Sequence, residues 1–264
     1  MASDEQLLRR VDDDRVTVLT LADPASRNSL SETMLVALSK TFAEVEADQT
    51  VRCVVLASEG PVFSSGHHLK QMQAHRNDPD GGRAYVEDLL ARCASVMTAI
   101  PRLRVPVIAA VEGMATAAGC QLVASCDLVV AGAQARFCTP GVNLGLFCST
   151  PGVAVGRAMS AKHALEMLLT GEVFDAETAA RFGLVNRLVA NGEALAAATA
   201  LARQIAGRSA EAIGFGKRAF HDQLSRPLDE AYAVASQVMV ENFLADDAKE
   251  GIGAFLDKRE PTWR

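Results

Sequence analysis

The chain has 264 residues, 49% of them hydrophobic but only 5% aromatic, and 26 basic against 32 acidic side chains give a net charge of −6. A chain this long buries roughly three-quarters of its unfolded surface, so one large domain, or one domain with an appendage, folds without staples. Average charge content excludes a disordered chain, and the acidic balance excludes nucleic acid as the main partner, which needs a clustered positive field.

In chain order, residues 7–11 and 16–21 read as a hairpin around Asp12-Asp13-Asp14. Ser29-x-x-Glu32 has the form of a capping box, and Met34, Leu35, Leu38, Phe42 and Val45 follow at helical spacing. Residues 53–57 form a short apolar run that predicts a buried strand. A long helix is expected through Val86, Leu89, Leu90, Cys93, Met97 and Ile100, which share one face. Two more buried strands follow at residues 107–111 and 128–130, separated by a small, helical stretch over 115–125. Strands alternating with helices imply parallel pairing in an α/β layer arrangement. From about residue 192 the pattern is helical: 195–205, 210–224, 228–244 and a short last helix at 252–256. The division expected is a core over 1–191 and a helical region over 192–264.

The opening residues Met1 to Glu5 are acidic and lack the layout of a secretory leader, and no apolar run reaches the length of a membrane span. Six cysteines (Cys53, Cys93, Cys120, Cys126, Cys138 and Cys148) include no Cys-x-x-Cys pair and read as buried free thiols in a reducing compartment, taken here as the cytoplasm. His67, His68 and His75 have no Cys or carboxylate at a metal-site spacing, so no metal is expected.

Two small-residue turns follow predicted strands: Ser65-Gly66-His67, and Thr116-Ala117-Ala118-Gly119 at the opening of a helix. Such turns point unpaired backbone N–H groups outward, and small residues let a ligand atom approach them. Two such turns facing one another would give two donors to one carbonyl oxygen, which is an oxyanion hole.

With their neighbours, these turns carry a family resemblance. The blocks Arg27-Asn28-Ser29-Leu30, Phe63-Ser64-Ser65-Gly66-His67-His68-Leu69-Lys70, Val111-Glu112-Gly113 through Gly119-Cys120, and Cys126-Asp127-Leu128 stand in order along the chain. Ala135-Arg136-Phe137, Thr170-Gly171-Glu172 and Ala180-x-x-Gly183-Leu184-Val185 extend the match. The sequence resembles the crotonase (enoyl-CoA hydratase/isomerase) superfamily over almost its whole length. The resemblance implies an α/β spiral of β-β-α repeats with a helical C-terminal region, assembled as a homotrimer or dimer of trimers. It also implies an acyl-CoA or enoyl-CoA thioester ligand from fatty acid metabolism, with coenzyme A as part of the substrate and no permanently bound cofactor. The backbone N–H groups matching His67 and Ala118 would hold the thioester oxygen. Ser26, Arg27, Ser65 and Leu69 would lie along the CoA path and Lys70 near a phosphate. Phe255 and Lys258 match positions that reach a neighbouring subunit's CoA. Ala25 departs from the long polar residue common there, which thins the contacts.

The same matching puts the two glutamates of family hydratases at Gln121 and Gly141. An amide cannot exchange a proton at neutral pH, although it can orient a water, and glycine has no side chain. Standard hydration is therefore expected to be weak or absent, and installing both carboxylates is expected to raise it. Ser149 stands where some isomerases of the family carry a carboxylate. The remaining polar candidates are His68, Cys148, Thr139 and Tyr85, and His68 with Cys148 would make a thioester hydrolase or isomerase. A non-catalytic CoA-thioester binding or regulatory protein is the alternative from a different class. The block from Thr139 to Gly152 is similar to the enoyl-CoA hydratase domain-containing protein 3 branch, whose members share the glycine at the acid position.

Overall fold

The computed structural model describes residues 7–263. The chain opens with an antiparallel hairpin, β1 (Leu8–Asp13) and β2 (Val16–Leu21), in which Asp13 pairs with Val16. Asp14 and Arg15 make the turn with φ of 40° and 69°, the positive angles a two-residue hairpin loop requires. From β2 onward the large sheet is parallel. β3 (Cys53–Ser58), β5 (Val107–Val111), β7 (Leu128–Gly132) and β10 (Arg187–Val189) extend it in the order β1-β2-β3-β5-β7-β10.

A second sheet, missed by the sequence reading, holds β4 (Val62–Ser64), β6 (Met114–Thr116), β8 (Arg136–Cys138) and β9 (Phe174–Asp175) in the order β4-β6-β8-β9. The pairs β3–β4, β5–β6 and β7–β8 each send one strand to each sheet and are followed by helix. This is the β-β-α spiral the resemblance implies. The helix expected over 115–125 is accordingly corrected: residues 114–116 are strand, and α4 (Ala118–Ser125) begins after them. A three-residue strand is too short to show a period.

The central parallel strands β3, β5 and β7 are apolar almost throughout because both faces are covered. On one face Val54, Leu56, Val107, Ala109, Val111 and Val129 pack with α1 (Glu32–Ala47), α3 (Arg83–Arg102) and α4; α2 (Leu69–Ala74) lies between α1 and α3 in the chain. On the other face Cys53, Val55, Ile108, Ala110 and Val130 meet Ala194, Ala198, Leu201 and Ala202 of α8 (Ala194–Ala206). α5 (Ser149–Ala158), α6 (Ala161–Thr170) and α7 (Ala176–Arg181) precede β10. The chain ends with α9 (Ala210–Gln223), α10 (Leu228–Leu244) and α11 (Asp246–Leu256).

α11 is longer than the expected 252–256. Asp246 and Asp247 sit in its first turn, where the helix dipole favours them, and the buried Asp247 carboxylate accepts from Ser209 Oγ at 2.6 Å. The expected capping box is also corrected. Ser31, not Ser29, caps α1, its Oγ accepting from Met34 N at 3.2 Å. Leu30 N donates to Gly66 O at 2.8 Å, so the chain is still tied to the β4 loop at residue 30 and the helix cannot start earlier.

One buried cation joins the helical region to the sheet. Lys217 Nζ on α9 donates to Asp127 Oδ2 at 2.7 Å and to the carbonyls of Ile100 and Val105 at 2.8 Å each. Asp127 Oδ2 also accepts from Val107 N at 2.8 Å, and His221 Nε2 lies 3.2 Å from Oδ1.

Candidate functional site

The site begins with Asn28, which the sequence offered only as part of the Arg27-to-Leu30 block and without a role. It is fully buried with φ of 50°, a backbone conformation that Asn tolerates better than most residues. Its Oδ1 accepts from Asp23 N at 2.8 Å, and its Nδ2 donates to Glu59 O at 2.8 Å and Val62 O at 2.7 Å. These bonds lay residues 26–30 alongside the loop after β4. Ser65 N donates to Arg27 O at 3.0 Å and Ser65 Oγ to Ser26 O at 3.3 Å. Ser26, Arg27 and Ser65 are thereby brought together. Leu69 and Lys70 follow on the exposed first turn of α2.

That loop then meets the start of α4. Gly66 has φ of +80°, and a Cβ there would stand 3.0 Å from each of Ala117 Cβ, Ala118 N and Thr116 O. Only glycine meets both conditions. Ala117 caps α4 with φ 52° and ψ −120°, a strained conformation for a residue with a side chain. It is held there by its own N–H, which donates to Cys138 O at 3.0 Å. Neither the His67 N–H nor the Ala118 N–H has a partner among the described residues. The loop at Gly66 therefore packs against the opening of α4. The His67 ring is half-buried. Its Nδ1 lies 3.4 Å from Leu30 O, its Nε2 has no partner, and burial pulls its pKa below the usual histidine value.

Gln121 lies one turn along α4, 5% exposed, with Oε1 unpartnered. Gly141, in a 3₁₀ turn over Pro140–Leu144, is buried. A Cβ on it would stand 2.8 Å from Cys148 Sγ and 2.8 Å from Leu146 O. The expectation that two carboxylates can simply be installed is thus corrected, because residue 141 has no room for the first carbon of a side chain.

Of the other polar candidates, His68, Thr139 and Ser149 have structural partners, while the Tyr85 hydroxyl is buried without a hydrogen-bond partner. His68 Nδ1 accepts from Gln71 N at 3.2 Å and caps α2; it forms no hydrogen bond to Cys148. Thr139 is fully buried and donates to Met167 O at 3.1 Å, and Ser149 Oγ lies 3.4 Å from Phe147 O. Cys148 is buried, and burial raises its thiol pKa, as it does for Cys120 and Cys138. A thiol held neutral is a poor nucleophile. Tyr85 stacks on His75 with centroids 3.7 Å apart, and burial, then the Glu32 carboxylate, pushes its pKa up to about 12. Phe255 and Lys258 stand exposed at the end of α11, which packs on α9 and α10. Among the described residues no group of three or more His, Cys, Asp or Glu could hold a metal ion, and no helix is long and apolar enough to cross a membrane.

A fold whose paired strands feed two sheets in a β-β-α spiral defines a crotonase-like protein. A sequence profile of the enoyl-CoA hydratase/isomerase family matches residues 12–264, and the chain belongs to that family. It is 43% identical to rat (Rattus norvegicus) enoyl-CoA hydratase domain-containing protein 3, mitochondrial, over 99% of this chain and 85% of that protein. The human (Homo sapiens) protein of the same name is 44% identical over 95% of this chain and 81% of its own length. The crystal structure of the human domain-containing protein 3 superposes with a TM-score of 0.91, covering 97% of this chain and 100% of that one at 44% identity. An enoyl-CoA hydratase structure from Mycobacterium smegmatis gives 0.92 at 48% identity, covering 97% and 98%. The branch resemblance is therefore shown. The cytoplasmic placement is corrected: curated relatives from rat, frog, mouse, human and zebrafish are all named mitochondrial. Free buried thiols fit any reducing compartment, so they never separated the two.

Proposed function

We propose that the chain binds an acyl- or enoyl-CoA thioester and polarises its carbonyl through the N–H groups of His67 and Ala118. The observation that supports this reading is the packing of Gly66 against Ala117 and Ala118 N, beside His67 and Ala118 amides that have no partner among the described residues. Reactions at the carbons next to a thioester pass through enolate-like species, and two fixed donors on the oxygen lower that barrier. His67 acts through its backbone; its ring stays neutral.

In this reading Ser26, Arg27, Ser65, Leu69 and Lys70 line the CoA path, and Phe255 and Lys258 serve a neighbouring subunit's ligand. The exposed apolar side chains of α10 and α11, among them Met239, Phe243, Phe255 and Leu256, support a homotrimer or a dimer of trimers as the working form. With Gln121 and Gly141 at the acid positions, hydration is slow or absent. The missing acid pair equally favours a non-catalytic thioester binder as the second reading. Titration calorimetry with a saturated acyl-CoA tests the binding claim, since a saturated chain cannot be hydrated. Heat of binding that saturates is the expected result, and none at millimolar ligand would refute it. Crotonyl-CoA turnover then separates the two readings.

A further inference from the structure

The outward faces of α1 and α3 border a groove of about 390 Å³ that shares no residue with the site above. Ser39 and Ala43 on α1 and Ser95 on α3 are small, so the two helices pack on the sheet without closing against each other there. Leu35, 1% exposed, is the floor, and Val36 adds an apolar wall. That volume suits a small molecule, whereas a stable protein partner needs a far wider surface.

The polar groups of the groove are of one kind. Lys40 makes no ion pair or hydrogen bond among the described residues. Arg92 commits its Nε to Asp88 Oδ2 at 2.6 Å, which leaves its Nη groups available. The Ser39 and Ser95 hydroxyls can add donors, and among the described residues no carboxylate lines the groove. A second groove of about 400 Å³, between α1 and β1, also borders Lys40, but Glu44 lines it. Its Arg9 and Arg10 are held by Glu59, Asp12 and Asp48. Of the two, the α1–α3 groove joins an apolar floor to uncommitted positive charge.

We propose that the α1–α3 groove binds a free alkyl carboxylate, its tail over Leu35, Val36 and Ala43 and its head between Lys40 and Arg92. Donors without an acceptor call for an anion, and the open edge of a guanidinium matches the two oxygens of a carboxylate. An apolar floor calls for an alkyl body, because burying it removes hydrocarbon from water. The site stands apart from the thioester site, and either can fail without the other.

The test is calorimetric titration of the full chain with decanoate, decyltrimethylammonium and acetate. Decanoate is then titrated into Lys40→Met with Arg92→Met, and into Ala43→Trp, which fills the groove. All three positions are exposed, so the fold should hold, and each variant's thermal midpoint checks it. Decanoate should saturate at one per chain, about tenfold or more tightly than the cationic amphiphile, with acetate weaker still. The double variant should weaken decanoate about tenfold and Ala43→Trp should abolish its binding, while butyryl-CoA affinity stays unchanged in both. No saturable decanoate binding, equal affinity for the two amphiphiles, acetate binding as tightly as decanoate, or decanoate affinity unchanged in either variant would overturn the site. Displacement of decanoate by butyryl-CoA would overturn it too, by putting the acid in the thioester site.

Discussion

Placing glutamate at both acid positions, Gln121→Glu with Gly141→Glu, should not create a hydratase. The obstacle is steric and sits at the first side-chain atom. A Cβ at 141 meets Cys148 Sγ and Leu146 O at 2.8 Å each, and Cys148 N at 3.4 Å. The sulfur could swing aside, but Leu146 O belongs to the turn itself, and Leu146 N is bonded back to Gly141 O at 2.9 Å. Relieving the contact means moving the turn. Overpacking of this kind costs about 1–3 kcal/mol, or a midpoint lower by roughly 2–10 °C for a chain near this size. Differential scanning calorimetry measures that loss, and the absorbance of crotonyl-CoA measures hydration. The double variant should be destabilised and should gain no more hydration than Gln121→Glu alone. A double variant as stable as the parent, turning over crotonyl-CoA at about 10 s⁻¹ or faster, would refute the steric argument.

Gly66→Ala should weaken saturated acyl-CoA binding at least ~10-fold, because left-handed strain of about 1–2 kcal/mol adds to three close contacts around Ala118. Gly192→Ala carries the same backbone strain in open space (φ +85°), so it should lose stability and keep affinity; equal loss of binding in both variants would remove the oxyanion claim. Lys217→Met strands the buried Asp127 carboxylate and should cost about 3 kcal/mol in a denaturant titration, partly recovered by adding Asp127→Asn. A loss below about 1 kcal/mol would show the latch is unimportant. The Glu250 carboxylate, gripped by Arg259 and the Thr262 N–H, has its pKa lowered to about 2. A depressed acid contributes stability above its unfolded value of about 4.3, and that contribution fades as pH falls toward 2. Fluorescence of Trp263, the single tryptophan, should report loosening of the C-terminal segment across that window. An identical acid profile in Glu250→Gln would contradict this origin.

What could be read from residues alone follows the length of each signal. β3 and β5 are runs of buried apolar residues, and α1 and α3 are long enough to show their period. β4, β6 and β8 are three residues each and showed none, although they build the second sheet that aims the site loops. The two amide-bearing turns were legible because glycine and small residues mark close approach. The anchoring of the first of them was not, since it rests on Asn28 holding residues 26–30 against the β4 loop. Gly141 was read as a missing acid. The contact with Cys148 and Leu146 adds that the turn has closed over the vacancy, a fact of packing that no spacing records.

The central claim is that two backbone amides polarise a thioester carbonyl. Infrared difference spectroscopy of an acyl-CoA carrying ¹³C at that carbonyl tests it most directly. The bound carbonyl stretch should move to lower frequency than in water, and Gly66→Ala should abolish the shift at saturating ligand. A thioester that binds with its carbonyl frequency unchanged would contradict the account.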